Sequence, residues 1–411
     1  MNVNSRWFQL VTSLIAMIMI ANLQYAWTLF VDPIQKDNGW SLSEVQWAFT
    51  LFILCQTWVQ PLDGWLIDRM GPRRFVSAAG ILCGMGWAGI GVVTTRPALY
   101  VLYSIAGIGA ALVYSGSIGS ALKWFRDRRG LASGIMAAGF GGGTALFIPV
   151  ILWIIQSRGY RTAFIWTGIV QGLVILVVAQ FLRHPPAETT TARDSPSGSA
   201  QVATQHYTTG DMLRTTQFYV LYVMFLLMAS GGLLVTAQAG PMAESWGIPL
   251  ASLQIATSLS PVANGTSRIF WGWASDRIGR ETTMGIVFLL QAISLVLVVT
   301  LGDKSGGWFA LTIVLVFFTW GEVFSLFPAT LTDYFGSRHA TSNYGILYSA
   351  KGVASIIAGG IAAMLYEATG AWSAALYGCA VLALISAIMA FVLRTAEAPR
   401  RTLSAAPATV K

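Results

Sequence analysis

Charge is scarce in this 411-residue chain: Asp, Glu, Lys and Arg make up 10% of it, against roughly 25% in soluble domains. That scarcity excludes an ordinary water-soluble enzyme. Cysteine and histidine are nearly absent, with three of each. Cys55, Cys83 and Cys379 stand alone in apolar runs, and His184, His206 and His339 fall in polar connections. Neither a disulfide framework nor a metal-ligand spacing is there, so no metal and no other cofactor is expected. The glycines at 139, 141, 142 and 143 and the pair Gly359, Gly360 precede no Lys-Ser or Lys-Thr, so they are not phosphate loops. Close helix packing is expected of them. No nucleic-acid motif occurs, and the net charge of +8 is read as orientation and contact with anionic lipid.

What is abundant is apolar residues, 55% of the chain, together with 42 glycines, a composition for which the bilayer is the solvent. Apolar runs between punctuating residues predict six helices at about 7 to 30, 41 to 67, 75 to 94, 98 to 122, 130 to 156 and 162 to 183. Six more are predicted at about 215 to 240, 250 to 275, 282 to 302, 307 to 334, 340 to 366 and 372 to 394. The first run lacks a small-residue cleavage site and is expected to be a retained helix. The predicted organisation is an N-terminal bundle over 1–183, a Pro-, Ser- and Thr-rich linker over 184–214, a C-terminal bundle over 215–394 and a tail over 395–411. Eighteen Lys and Arg fall in the loops of one side and five in those of the other. The excess of positive charge predicts that both termini and the linker are cytoplasmic.

An internal repeat organises the chain. Gly64, Asp68, Arg69, Gly71, Arg73 and Arg74 recur as Gly272, Asp276, Arg277, Gly279 and Arg280, with Gly64 and Gly272 offset by 208 residues. Phe125 and Arg128 recur as Phe335 and Arg338. Parallel duplication of a six-helix unit is the pattern of a transporter with a site between two bundles. The motif resembles the G-x-x-x-D-R-x-G-R-R loop of the major facilitator superfamily, which implies a gating and helix-packing role. Glycine would let helices approach, and Asp68 would pair with basic groups at a neighbouring helix end.

A closer resemblance covers nearly the whole chain. Trp124 to Gly134 through Ala138-Gly139 is similar to the fifth-helix signature of monocarboxylate porters. With Gln24 to Leu29, Phe317 to Gly321, Asn343-Tyr344-Gly345 and Ala350-Lys351, the chain most resembles the oxalate/formate antiporter group of that superfamily. The resemblance implies that Arg268 and Lys351 bind the substrate, with Gln24, Tyr25, Gln46, Tyr114 and Trp320 around them. Phe140, Phe324 and Tyr348 stand in the same cavity where Tyr, Tyr and Trp are expected, which removes two hydroxyl donors. Glu322 stands where a small residue is expected.

Taken alone, Arg268 lies nine residues before Arg277, about 13 Å from that helix end and so near mid-membrane. Lys351 is equally central. A cation there costs about 2.5–3.5 kcal/mol on insertion scales and must face a cavity or a counter-charge. An Arg fork and a Lys point charge together specify a small organic anion; the alternative is a structural ion pair for each. Only Glu322 and Asp63 are at hand, and Asp63 looks too near the cytoplasmic end. Asn264, one turn before Arg268, is expected either to orient it or to make an interhelical bond.

Two mechanisms remain open at this point. If Glu322 faces away, two unpaired cations penalise the empty carrier and obligatory exchange follows. If Glu322 reaches the cations, it becomes a proton acceptor, and proton-coupled uptake of a lactate- or pyruvate-like monocarboxylate follows. The expectation is thus an all-α membrane protein of twelve transmembrane helices in two six-helix bundles. It would be a non-enzymatic secondary transporter of small carboxylates such as oxalate and formate, functional as a monomer in a bacterial inner membrane, with lipid and substrate as its partners.

Overall fold

The computed structural model describes residues 5–125, 129–183, 207–336 and 339–395, leaving out the side chains at 64, 65, 68, 129–131, 133 and 341. The linker interior and the tail therefore lie outside the described residues, as do Arg128 and Arg338. Among the described residues there is no strand. The helices of the first half are α1 (Arg6–Tyr25), α2 (Thr28–Asn38), α3 (Leu42–Trp58), α4 (Gln60–Met70), α5 (Pro72–Ile90), α6 (Arg96–Trp124), α7 (Arg129–Gly142), α8 (Ile148–Arg158) and α9 (Tyr160–Ala179). After the short α10 (Thr209–Met212) come α11 (Thr216–Ser245), α12 (Leu250–Ile278), α13 (Arg280–Leu301), α14 (Gly306–Trp320), α15 (Val323–Phe335), α16 (Ala340–Ser355), α17 (Ala362–Thr369) and α18 (Ser373–Thr395).

Each expected run falls on one helix or on consecutive helices. Nine stretches among the described residues are long and apolar enough to cross a membrane. The other three runs fall on α3 with α4, on α5, and on α12. The last two carry charge: α5 opens on Arg73 and Arg74, and α12 contains Arg268, Asp276 and Arg277.

The breaks have local causes. Pro61 and Pro149 sit in the first turns of α4 and α8, where a missing N–H costs nothing. Between α16 and α17 the backbone widens into a π-turn over Ile356–Ile361, a common device at functional sites. Gly71 and Gly279, the matched glycines of the repeat, have φ of +76° and +90°, a conformation that a Cβ strongly disfavours. They turn the chain between α4 and α5 and between α12 and α13. This corrects the expectation for the motif's glycines: a Cβ on Gly272 or Gly71 would meet nothing within 4 Å. Close approach is therefore not what the described glycines of the motif provide.

In the first half α5 packs between α6 and α9, and α1 lies on α6, α7 and α9; in the second half α13 lies on α14 and α18, and α11 on α14, α16 and α18. The halves meet through α3 on α16, α17 and the π-turn, through α7 and α8 on α12, and through α2 on α11. Small residues permit these contacts as expected: a Cβ on Gly141 would lie 3.2 Å from the Asn264 side chain, and one on Gly360 2.6 Å from Trp47. Gly142 is the exception, with open space around it.

Candidate functional site

The broken helices converge on one place. Tyr25 is the last residue of α1, Trp320 the last of α14, Phe324 the second of α15, and Phe140 stands two residues before the end of α7. Interrupted helices bring backbone termini and side chains to the same depth, which is how carriers build a midplane site.

Seven aromatic rings close on themselves there. Tyr25, Phe140, Tyr114, Tyr348, Phe324, Trp320 and Phe317 follow one another with centroids 5.3–6.3 Å apart, and Phe317 returns to Tyr25. Three of the rings come from the first half and four from the second. Most of these contacts are tilted or edge-on, the arrangement that ring quadrupoles favour. A Cβ on Gly232 would collide with Trp320, so that glycine is what admits the indole. Phe317 belongs to this circle although it was not expected in the site; its signal was its place three residues before Trp320, one helical turn away.

Both intramembrane cations lie against Phe324. The Arg268 guanidinium is 4.7 Å and the Lys351 ammonium 5.7 Å from its ring centroid, and Lys351 is 5.3 Å from that of Tyr348. Arg268 is 6% exposed and Lys351 fully buried. Arg268 donates to Asn264 Oδ1 at 2.9 Å and to the Ala137 carbonyl at 3.4 Å, so Asn264 orients the guanidinium. Lys351 donates to Gln24 Oε1 and Gln56 Oε1, both at 2.9 Å, and to the Tyr348 hydroxyl at 3.3 Å. Gln56 was not anticipated, because a lone amide in an apolar run gives no signal until its partner, 295 residues away, is known.

Among the described residues, no carboxylate pairs with either cation. Glu322 is fully buried and neither of its oxygens has a hydrogen-bond partner; Asp63, 2% exposed, likewise bonds neither cation. Several buried donors beside the cations lack partners, namely Gln24 Nε2, Asn264 Nδ2, Arg268 Nε and Trp320 Nε1, and the Tyr25 hydroxyl lies against Arg268. A buried cluster of two cations and several unpaired donors among aromatic rings has the chemistry to take a small anion rich in acceptors.

Gln46 departs from expectation. Both its amide protons are committed across the halves, to the Ala237 carbonyl at 2.8 Å and Gln238 Oε1 at 2.9 Å, and its oxygen accepts from Trp27 at 3.1 Å. It ties the halves together and has no donor left for an anion.

Of the repeated motif, Gly64 and the Asp68 side chain lie outside what is described. In the second copy Arg280 pairs with Asp276 at 2.7 Å and Asp333 at 3.2 Å, while Arg277 lies over Trp273 at 3.8 Å. In the first, Arg73 donates to Gln180 at 2.7 Å. At the opposite end of the molecule Lys36 of α2 pairs with Glu244 of α11 at 2.8 Å. The Tyr160 hydroxyl and the Arg161 guanidinium hold the neighbouring Asp37 carboxyl below its usual range.

The Major Facilitator Superfamily model matches residues 12–237 and 220–409. The chain is similar to the oxalate:formate antiporter of Oxalobacter formigenes, 38% identical over 396 residues that span 96% of this chain and 92% of that protein. It is similar at 27% identity to an uncharacterized MFS-type transporter, YhjX, of Escherichia coli (strain K12), over 86% of each chain. At 23% identity it resembles monocarboxylate transporter 12-B of Danio rerio, over 89% of this chain and 82% of that one.

Proposed function

The chain belongs to the major facilitator superfamily, and from that premise we propose that it exchanges small carboxylates across a bacterial inner membrane, oxalate against formate being the leading pair. Twelve spans in two bundles rock about the aromatic ring, with the motif end and both termini in the cytoplasm. Arg268 takes one carboxylate in its planar fork and Lys351 the other. Tyr25 and Gln24 supply neutral donors, and the rings exclude water.

One observation carries this: two buried cations against one aromatic ring with, among the described residues, no carboxylate joined to either. An unfilled site keeps its charge, so moving the empty carrier through the hydrocarbon is costly and return requires a counter-anion. The isolation of Glu322 favours exchange over proton-coupled uptake of a monocarboxylate. It also leaves the site at +2, which suits a dicarboxylate.

The test uses purified protein in liposomes preloaded with formate or with buffer, following labelled oxalate and labelled lactate. Oxalate uptake requires internal formate, and Arg268→Gln or Lys351→Gln lowers it by roughly a hundredfold or more, because a buried charge pair with substrate is lost. Lactate uptake without internal anion, driven by a proton gradient and lost in Glu322→Gln, would overturn the proposal in favour of the symporter.

A further inference from the structure

Lys351 has three N–H donors, and each one has an acceptor: Gln24, Gln56 and Tyr348. The three acceptors are not equivalent. Tyr348 lies on α16 with Lys351, three residues before it, and travels with it. Gln24 on α1, also from the opposite half, belongs to the site already described. Gln56, 2% exposed, comes from α3 in the opposite half. Its register is fixed by the next residue, since a Cβ on Gly352 would collide with the Thr57 hydroxyl. The α3–α16 contact therefore holds an amide oxygen against the ammonium.

We propose that Gln56 is a positioning residue that holds Lys351 while the carrier is empty and yields it to the second carboxylate of a dicarboxylate. The inference rests on the exchange function proposed above. A neutral amide oxygen offsets part of the cost of a buried ammonium but less than a carboxylate does. Gln56 thus keeps the empty site closed without cancelling its charge. It also competes with the substrate, and binding of a dianion exchanges one acceptor for a stronger one.

The experiment compares Gln56→Leu and Gln56→Glu with the unaltered chain in liposomes. Half-saturation is measured for oxalate and for formate in exchange, together with net efflux into anion-free buffer. In Gln56→Glu a permanent carboxylate occupies Lys351: half-saturation for oxalate rises at least about tenfold, that for formate changes less, and efflux without a counter-anion appears. In Gln56→Leu the competitor is gone, and half-saturation for oxalate falls roughly threefold or more while efflux still requires an anion.

If both variants change oxalate and formate by one common factor, or change neither, Gln56 is only a packing residue and the proposal fails. A second arm needs no substrate: the unfolding midpoint of the empty protein rises in Gln56→Glu, which pairs the buried ammonium, and falls in Gln56→Leu. The reverse order overturns the proposal on its own. An unaltered chain that exchanges no oxalate defeats the assigned function, while this stability arm still decides about Gln56.

Discussion

Phe324 touches both cations at once, and its ring takes the place of a tyrosine expected there. Each cation–π contact is worth about 0.5–2 kcal/mol. Replacing Phe324 with leucine is expected to weaken oxalate exchange by roughly tenfold, read as half-saturation in proteoliposomes, while Phe324→Tyr keeps the face and retains exchange. Glu322→Gln should leave oxalate exchange within about twofold, because this carboxyl bonds neither cation; a loss of exchange there would reopen a coupling role. At this scale the sequence announced Arg268 and Lys351, since a lone cation in an apolar run has few reasons to exist. It announced Asn264 through helical spacing. It could not announce Gln56, nor warn that Gln46 is consumed by Trp27, Ala237 and Gln238, because these are pairings between distant helices.

Helices were largely legible as apolar runs, and their punctuation was legible where glycine or proline marks it. The mid-run breaks were less so. The interruption between α14 and α15 falls at Gly321-Glu322, with no proline to signal it. It matters because Trp320 and Phe324 flank it. One cross-half contact lends itself to a test: the Gly240 N–H of α11 donates to the Thr28 hydroxyl of α2 at 2.5 Å, and a Cβ on Gly240 would strike the Thr28 carbonyl. Gly240→Ala should force these helices apart and lower exchange several-fold while raising thiol labelling of a cysteine placed at Thr28. The same end offers a pH test through Asp37, held by Tyr160 and Arg161 of α9. Its carboxyl is depressed in the folded protein, so the link stabilises above the unfolded value of about 3.9 and fades as pH falls through the lower folded value. Asp37→Asn should lower the unfolding midpoint slightly at pH 7, with the difference shrinking toward pH 3.

For the molecule as a whole, the repeat and the asymmetry of positive charge were readable from sequence, whereas the closed aromatic circle was not, since it draws on both halves. Sidedness is checked by impermeant thiol reagent on intact cells. A cysteine at Ser305 should label from outside and one at Thr282 should not.

The two uncompensated cations also have an electrical consequence. With an oxalate dianion aboard the site sums to zero, and with formate aboard it sums to +1. Only the formate limb then moves charge through the membrane field, at about 2.3 kcal/mol per elementary charge per 100 mV. A potential negative inside should slow uptake of oxalate against internal formate and leave oxalate self-exchange unchanged, so voltage distinguishes two reactions that share every binding residue.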